Sequence, residues 1–179
     1  MKNLILALLM TVCTGVYCQT NNQKALQDFE AAKEAFSTNY ATEKEYITGM
    51  MKTESELNQS LELDQSIANV FYYRALLFIS ADQNLEAIEF LEYAIQRDSV
   101  NAEYHLRKGV TQTKIEYYTA AMASFNQALV YAPEDPNIYF NRGMIYYYTD
   151  QADNACKSFK EALSLGLASA QEAIDQTCK

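Results

Sequence analysis

An all-α chain folded as an α-solenoid of antiparallel helix pairs is what this sequence predicts, and three observations carry the prediction. The first is a period of 34 residues, seen when the chain is aligned on Ala68, Ala102 and Pro136. The second is composition: 49% hydrophobic content with 14 Tyr and 8 Phe supports a core, and only 5 Gly and 2 Pro suit helices joined by short turns. The third is a set of marked helix starts, where Ser66, Asn101 and Asp135 can offer an N-cap oxygen and Pro136 follows at a position that needs no N–H.

Within each period the small residues keep fixed places. Position eight holds Ala75, Gly109 and Gly143; position twenty holds Ala87, Ala121 and Ala155; position twenty-seven holds Ala94, Ala128 and Ala162. Position twenty-four is bulky, with Leu91, Phe125 and Phe159, and only the loop position thirty-two drifts, from Ser99 to Pro133 to Leu167. Two antiparallel helices approach closely only where small residues face each other, and a ring then fills the space that remains. With these residues the stretch from 68 to 167 resembles the tetratricopeptide repeat (TPR). The resemblance departs at position four, which holds Phe71, His105 and Tyr139, and at position seven, where Arg74, Lys108 and Arg142 replace the usual leucine.

Taken in order, the chain opens with one Lys and an apolar run from Leu4 to Val12, diluted by Thr11, Thr14 and Gly15. That run is about half of the roughly 20 apolar residues a membrane span needs, so residues 1–18 read as a secretory signal peptide cut between Cys18 and Gln19. No integral span is expected after cleavage, and the location is periplasmic or secreted. A short leader followed by Gln resembles exported proteins of the Bacteroidota. The competing reading is a lipoprotein carrying its lipid on Cys13 or Cys18, against which Val12 and Tyr17 are poor minus-one residues.

Residues 19–67 form N-terminal helices or a degenerate first repeat. The stripe Leu26, Phe29, Ala32, Ala35 and Phe36 stops at Ser37-Thr38-Asn39. It needs a partner, which favours one long helix over 41–63 against a first repeat turning at Gly49. The three TPR-like repeats follow at 68–101, 102–135 and 136–167. Their helices are expected near 68–81 and 85–97, 102–115 and 118–131, and 136–149 and 152–165. A C-terminal capping helix over 168–179 closes the array, with Ser169 and Glu172 in capping-box spacing and Ala170, Ala173, Ile174 and Cys178 on one face.

Cys156 stands at position twenty-one of its repeat, facing the closing helix, and Cys178 lies on the facing stripe. Each is 11 residues from Leu167, so an antiparallel hairpin brings them level and a disulfide follows in an exported protein. Buried thiols acting as small hydrophobes are the alternative.

Nothing in the sequence builds an enzyme. His105 is the only histidine and falls where a packing aromatic belongs. No Cys-x-x-Cys spacing, phosphate-cradling glycine loop or metal-ligand cluster exists, so no cofactor and no metal is expected. Tyrosine clusters such as Tyr146-Tyr147-Tyr148 read as core and inner-wall residues. Removing Lys2 with the leader takes 14 basic residues to 13 against 23 acidic, a formal charge of −10. Nucleic acid is therefore excluded as a partner, because phosphate binding needs concentrated cations.

The resemblance implies a concave wall lined by the first helices at positions two, five, nine and twelve. Those positions hold Asn69, Tyr72, Leu76 and Ile79; Glu103, Leu106, Val110 and Thr113; and Asn137, Phe140, Met144 and Tyr147. An apolar and aromatic wall of this kind suits a peptide or protein partner; the alternative is that the N-terminal helices fold over it and bury it. The expected function is a non-catalytic, exported interaction module, a scaffold or adaptor. The alternative is a lipid-anchored accessory subunit of a cell-envelope complex.

Overall fold

The computed structural model describes residues 68–178, with Gln27 and Ser55 as two isolated helical positions. The expected leader and its cut site, the helices or degenerate repeat over 19–67, and the N-cap at Ser66 lie outside the described residues. The chain divides into two compact units, 1–77 and 78–179, each taken by itself.

The described part of the first unit is the bulk of helix α1 (Ala68–Ser80). Val70 and Ala75 are fully buried and Phe71 nearly so.

The second unit holds the end of α1 and six further helices: α2 (Asn84–Arg97), α3 (Ala102–Lys114), α4 (Tyr118–Tyr131), α5 (Pro136–Tyr148), α6 (Ala152–Ser164) and α7 (Ala170–Thr177). Every regular element among the described residues is a helix, and the array is a TPR-like helical solenoid. Helices α3 and α4 pack as one hairpin and α5 and α6 as the next. Contacts of α2 with α3, α4 with α5, and α6 with α7 join successive members, and α3 also touches α5.

The two hairpins share one packing device. A Cβ on Gly109 would lie 2.5 Å from Cε1 of Phe125, and one on Gly143 would lie 2.5 Å from Cε1 of Phe159. Each ring lies flush against the facing backbone, where only hydrogen fits. Phe125 is wholly buried and Phe159 is 1% exposed, and burial of a side chain of this size contributes about 1.5–3 kcal/mol. Around Phe125 the core gathers Leu106, Ala121, Ala128, Ile138 and Ile145. Residues from α3, α4 and α5 thus meet in one cluster, so the hairpins stack through their apolar faces.

Sharp reversals separate the two helices of each repeat. Asp82, Glu116 and Asp150 have positive φ (57°, 62° and 57°) and stand one period apart. Two backbone bonds close each turn: Gln83 N–H to Phe78 O and Asp82 N–H to Ile79 O, then Tyr117 to Gln112 and Glu116 to Thr113, then Gln151 to Tyr146 and Asp150 to Tyr147. This is the Schellman arrangement, which satisfies the last carbonyls of the first helix. Gly166 (φ 98°) repeats it after α6.

The first helices begin as expected. Asn101 accepts from the Glu103 N–H and Asp135 from the Asn137 N–H, with Pro136 at N1. Ser169 departs from expectation: it has helical φ and ψ (−63°, −17°) and its side chain makes no capping bond. The N2 amide such a cap could serve, Gln171 N–H, is taken by Ala168 O, and Ala170 N–H is taken by Leu167 O. The closing helix is held covalently instead, since Cys178 is disulfide-bonded to Cys156 of α6, with Cα atoms 5.3 Å apart.

Candidate functional site

Position four explains why the loop position drifts. His105 Nε2 lies 2.9 Å from Ser99 O, and the Tyr139 hydroxyl donates to Pro133 O at 2.9 Å. Each ring therefore reaches six residues back to the position-thirty-two carbonyl of the preceding repeat. A carbonyl is supplied by every residue type, so the side chain there is free to vary. A carbonyl can only accept, so Nε2 of His105 is the donor of this bond. The ring is 8% exposed and stacks on Tyr131 at 5.7 Å. His105 is a structural clamp, with a polar half to its role beside the aromatic bulk that its position in the repeat predicts.

Position seven is settled for one repeat. Lys108 reaches across to Glu92 of α2 at 2.7 Å, with its side chain only 20% exposed, so it packs its stem and pairs its charge. One period on, Asn126 stands at the position of Glu92 and offers no charge, and Arg142 Nε is buried with no hydrogen-bond partner among the described residues. On the outer face of α2, Glu86, Glu89 and Glu92 are all exposed. The Tyr93 hydroxyl donates to Glu89 at 2.7 Å, and this bond together with the Glu89 charge raises the phenol's pKa.

The residues expected to line the wall divide by environment. In the first unit Tyr72 and Leu76 are half-buried, and the Tyr72 ring meets Tyr73 edge-on at 5.5 Å. In the second unit Ile79, Val110, Thr113, Phe140 and Met144 are half-buried and Tyr147 is 49% exposed. Leu106 is different: at 8% exposed it belongs to the Phe125 core, and Val110 packs against that core. The Phe140 ring meets Phe159 of its own hairpin at 5.5 Å. Leu106 and Phe140 therefore serve packing, because position five turns inward far enough to touch the second helix. Thr113 donates to Gly109 O at 2.8 Å, which fixes its rotamer along the helix.

The tyrosine run is divided in the same way. Tyr146 is half-buried, whereas Tyr147 and Tyr148 are 49% and 50% exposed, so the last two are surface rings and not core. Inside the hairpin Ser124 donates to Gln112 Oε1 at 2.8 Å, so two of its buried polar side chains satisfy each other. Among the described residues no group of three or more His, Cys, Asp or Glu is placed to hold a metal ion, and no helix is long and apolar enough to cross a membrane.

The family model described as tetratricopeptide repeat matches residues 102–135 and 136–165, which identifies two such repeats in the chain. No curated protein matches this sequence. Solved structures similar in fold include MamA (22% identity over 72% of this chain and 76% of that one, TM-score 0.63). Another is a structure titled for the functional characterization of pilF of Pseudomonas aeruginosa (17% identity, 88% and 72% covered, TM-score 0.70). A third is YrrB, described as a TPR protein with an unusual peptide-binding site (15% identity, 74% and 70% covered, TM-score 0.64). At these identities the likeness is one of fold.

Proposed function

We propose that the chain is a non-catalytic interaction module, an exported scaffold or adaptor that takes a peptide or protein on the wall formed by its first helices. The observation that carries this reading is the stacking of two matched repeats with α3 against α5, which sets equivalent residues of successive first helices side by side. TPR proteins are generally interaction modules, and YrrB, similar in fold, is described as having a peptide-binding site. The Cys156–Cys178 bridge supports export, since disulfides persist in oxidising compartments.

Within the second unit the residues offered to a partner are Met144, Tyr147, Val110 and Thr113, with Ile79 at the end of α1. Leu106 and Phe140 hold the wall's shape from behind. The test is affinity capture from the native cell envelope with the full chain as bait, comparing wild type with a Met144→Ala/Tyr147→Ala variant. A protein recovered by wild type and lost by the variant at unchanged melting temperature is the expected result. Equal recovery by both, or loss only together with unfolding, contradicts the reading. The lipid-anchored alternative is decided by the mass of the mature N-terminus.

A further inference from the structure

At the turn end of the second and third repeats, three tyrosines from two hairpins are in ring contact, and a fourth, Tyr117, precedes one of them in the chain. Tyr118, at the start of α4, stacks on Tyr148, at the end of α5, with centroids 6.0 Å apart and planes 29° apart. Tyr148 in turn meets Tyr147 edge-on at 6.0 Å. Tyr117, adjacent to Tyr118 in the chain, is 55% exposed, and Tyr148 and Tyr147 are 50% and 49% exposed. Tyr118 is anchored from below, where it packs against the Phe125 core. The cluster is therefore preorganised: one ring is seated in the core, a second stacks on it from the next hairpin, and large aromatic faces remain in water.

The charge around the rings is one-sided. Glu116 and Asp150 occupy the two turns from which the tyrosines spring, and Asp153 follows in the first turn of α6. All three are exposed, and none is in an ion pair with a described residue. Against these three carboxylates stand two cations, Lys114 at the end of α3 and Lys157 one helical turn after Asp153. The face of a tyrosine ring is itself the negative end of a quadrupole, so carboxylates and ring faces attract the same kind of group.

We infer that this turn-end tyrosine cluster is a second docking surface, and that its occupant is a basic, arginine- or lysine-bearing segment of a partner protein. Guanidinium groups stack on the ring faces while Glu116, Asp150 and Asp153 pair with neighbouring cations. A second copy of this chain is a poor occupant, because at a formal charge of −9 it brings more acid to an acidic rim. An anionic membrane is disfavoured for the same reason. The surface is separate from the first-helix wall, with Tyr147 at their shared border, so the variants below leave Tyr147 intact and the two readings fail independently.

The test is fluorescence anisotropy of the full chain with a labelled arginine–glycine peptide, and a glutamine–glycine peptide of equal length as control. Saturable binding of the arginine peptide alone, weakened by added salt, is expected. Tyr117→Ser with Tyr148→Ser should lower the affinity about tenfold, while Phe at both sites holds it within about twofold. Glu116→Gln with Asp150→Asn should weaken binding and flatten its salt dependence. In the unmodified protein the Tyr117 and Tyr148 ring resonances should shift on titration, a readout independent of whether the Ser variant folds. Unmoved resonances, equal binding of the glutamine peptide, or full affinity in a folded Ser variant each overturn the proposal. So does self-association, or binding to phosphatidylserine vesicles, that the Ser variant abolishes.

Discussion

At the level of single residues, the contact between Gly143 and Phe159 is the sharpest instrument the fold offers. Gly143→Ala sets two effects against each other. Alanine favours a helix interior by about 1 kcal/mol over glycine, whereas a Cβ placed 2.5 Å from a ring that is 1% exposed overpacks a core, at about 1–3 kcal/mol. The steric term wins because the Phe159 ring has nowhere to retreat. Gly143→Ala should therefore destabilise the chain by about 1–2 kcal/mol in urea unfolding, and Phe159→Leu, which vacates the space, should turn the same substitution neutral or stabilising. Additive effects of the two changes would refute the contact. This pairing was legible in the sequence, since a small residue and a ring recur sixteen apart in two successive repeats. The polar reach of His105 and Tyr139 was not legible, because periodicity registers a ring's bulk and carries no information about a hydrogen bond to a carbonyl six residues back.

Among the elements, the bounds of the six repeat helices were legible to within one residue, whereas the backbone device that ends the first helices was not. Asn101 and Asp135 announce themselves as caps by residue type, while the left-handed turn residues Asp82, Glu116 and Asp150 carry no glycine to give them away. Their backbones are held by the paired Schellman bonds and by the packing of the two helices they join, which override the local preference for glycine. The same logic misled at Ser169, where cap spacing is present and backbone carbonyls already occupy the amides. A left-handed conformation costs a side-chain-bearing residue about 1–2 kcal/mol, and glycine returns part of that gain through greater freedom in the unfolded chain. Glu116→Gly should therefore raise stability by about 0.5–1 kcal/mol, visible as a higher urea midpoint. Glu116→Ala, which removes the charge and keeps the Cβ, should give no such gain. Equal effects of Gly and Ala would mean that charge, and not backbone strain, sets the stability of the turn.

For the molecule as a whole, a repeat array is stabilised by each member's contacts with its neighbours, so its ends are its weak points. Helix α7 has 8 residues, of which only Ala170 is buried, and an isolated helix shorter than about 12–15 residues is marginal in water. Its position against α6 therefore leans on the Cys156–Cys178 bridge, which spans a sequence separation of 22. Closing a loop of that size stabilises by about 3 kcal/mol in the chain-entropy model. Reducing the bond, or replacing both cysteines by serine, should cost about that amount, and the loss should be graded along the chain. Amide protection should disappear first over residues 170–177 and next over 152–164, because α6 then loses the neighbour that covers its outer side. Residues 102–131, flanked by repeats on both sides, should keep their protection longest. If the cysteines contributed only as small apolar groups, reduction would change little, since the thiols would still fill the same space. If protection fell evenly from 84 to 177, the second unit would be one cooperative block and not a stack of neighbours, and the nearest-neighbour account of its stability would be wrong.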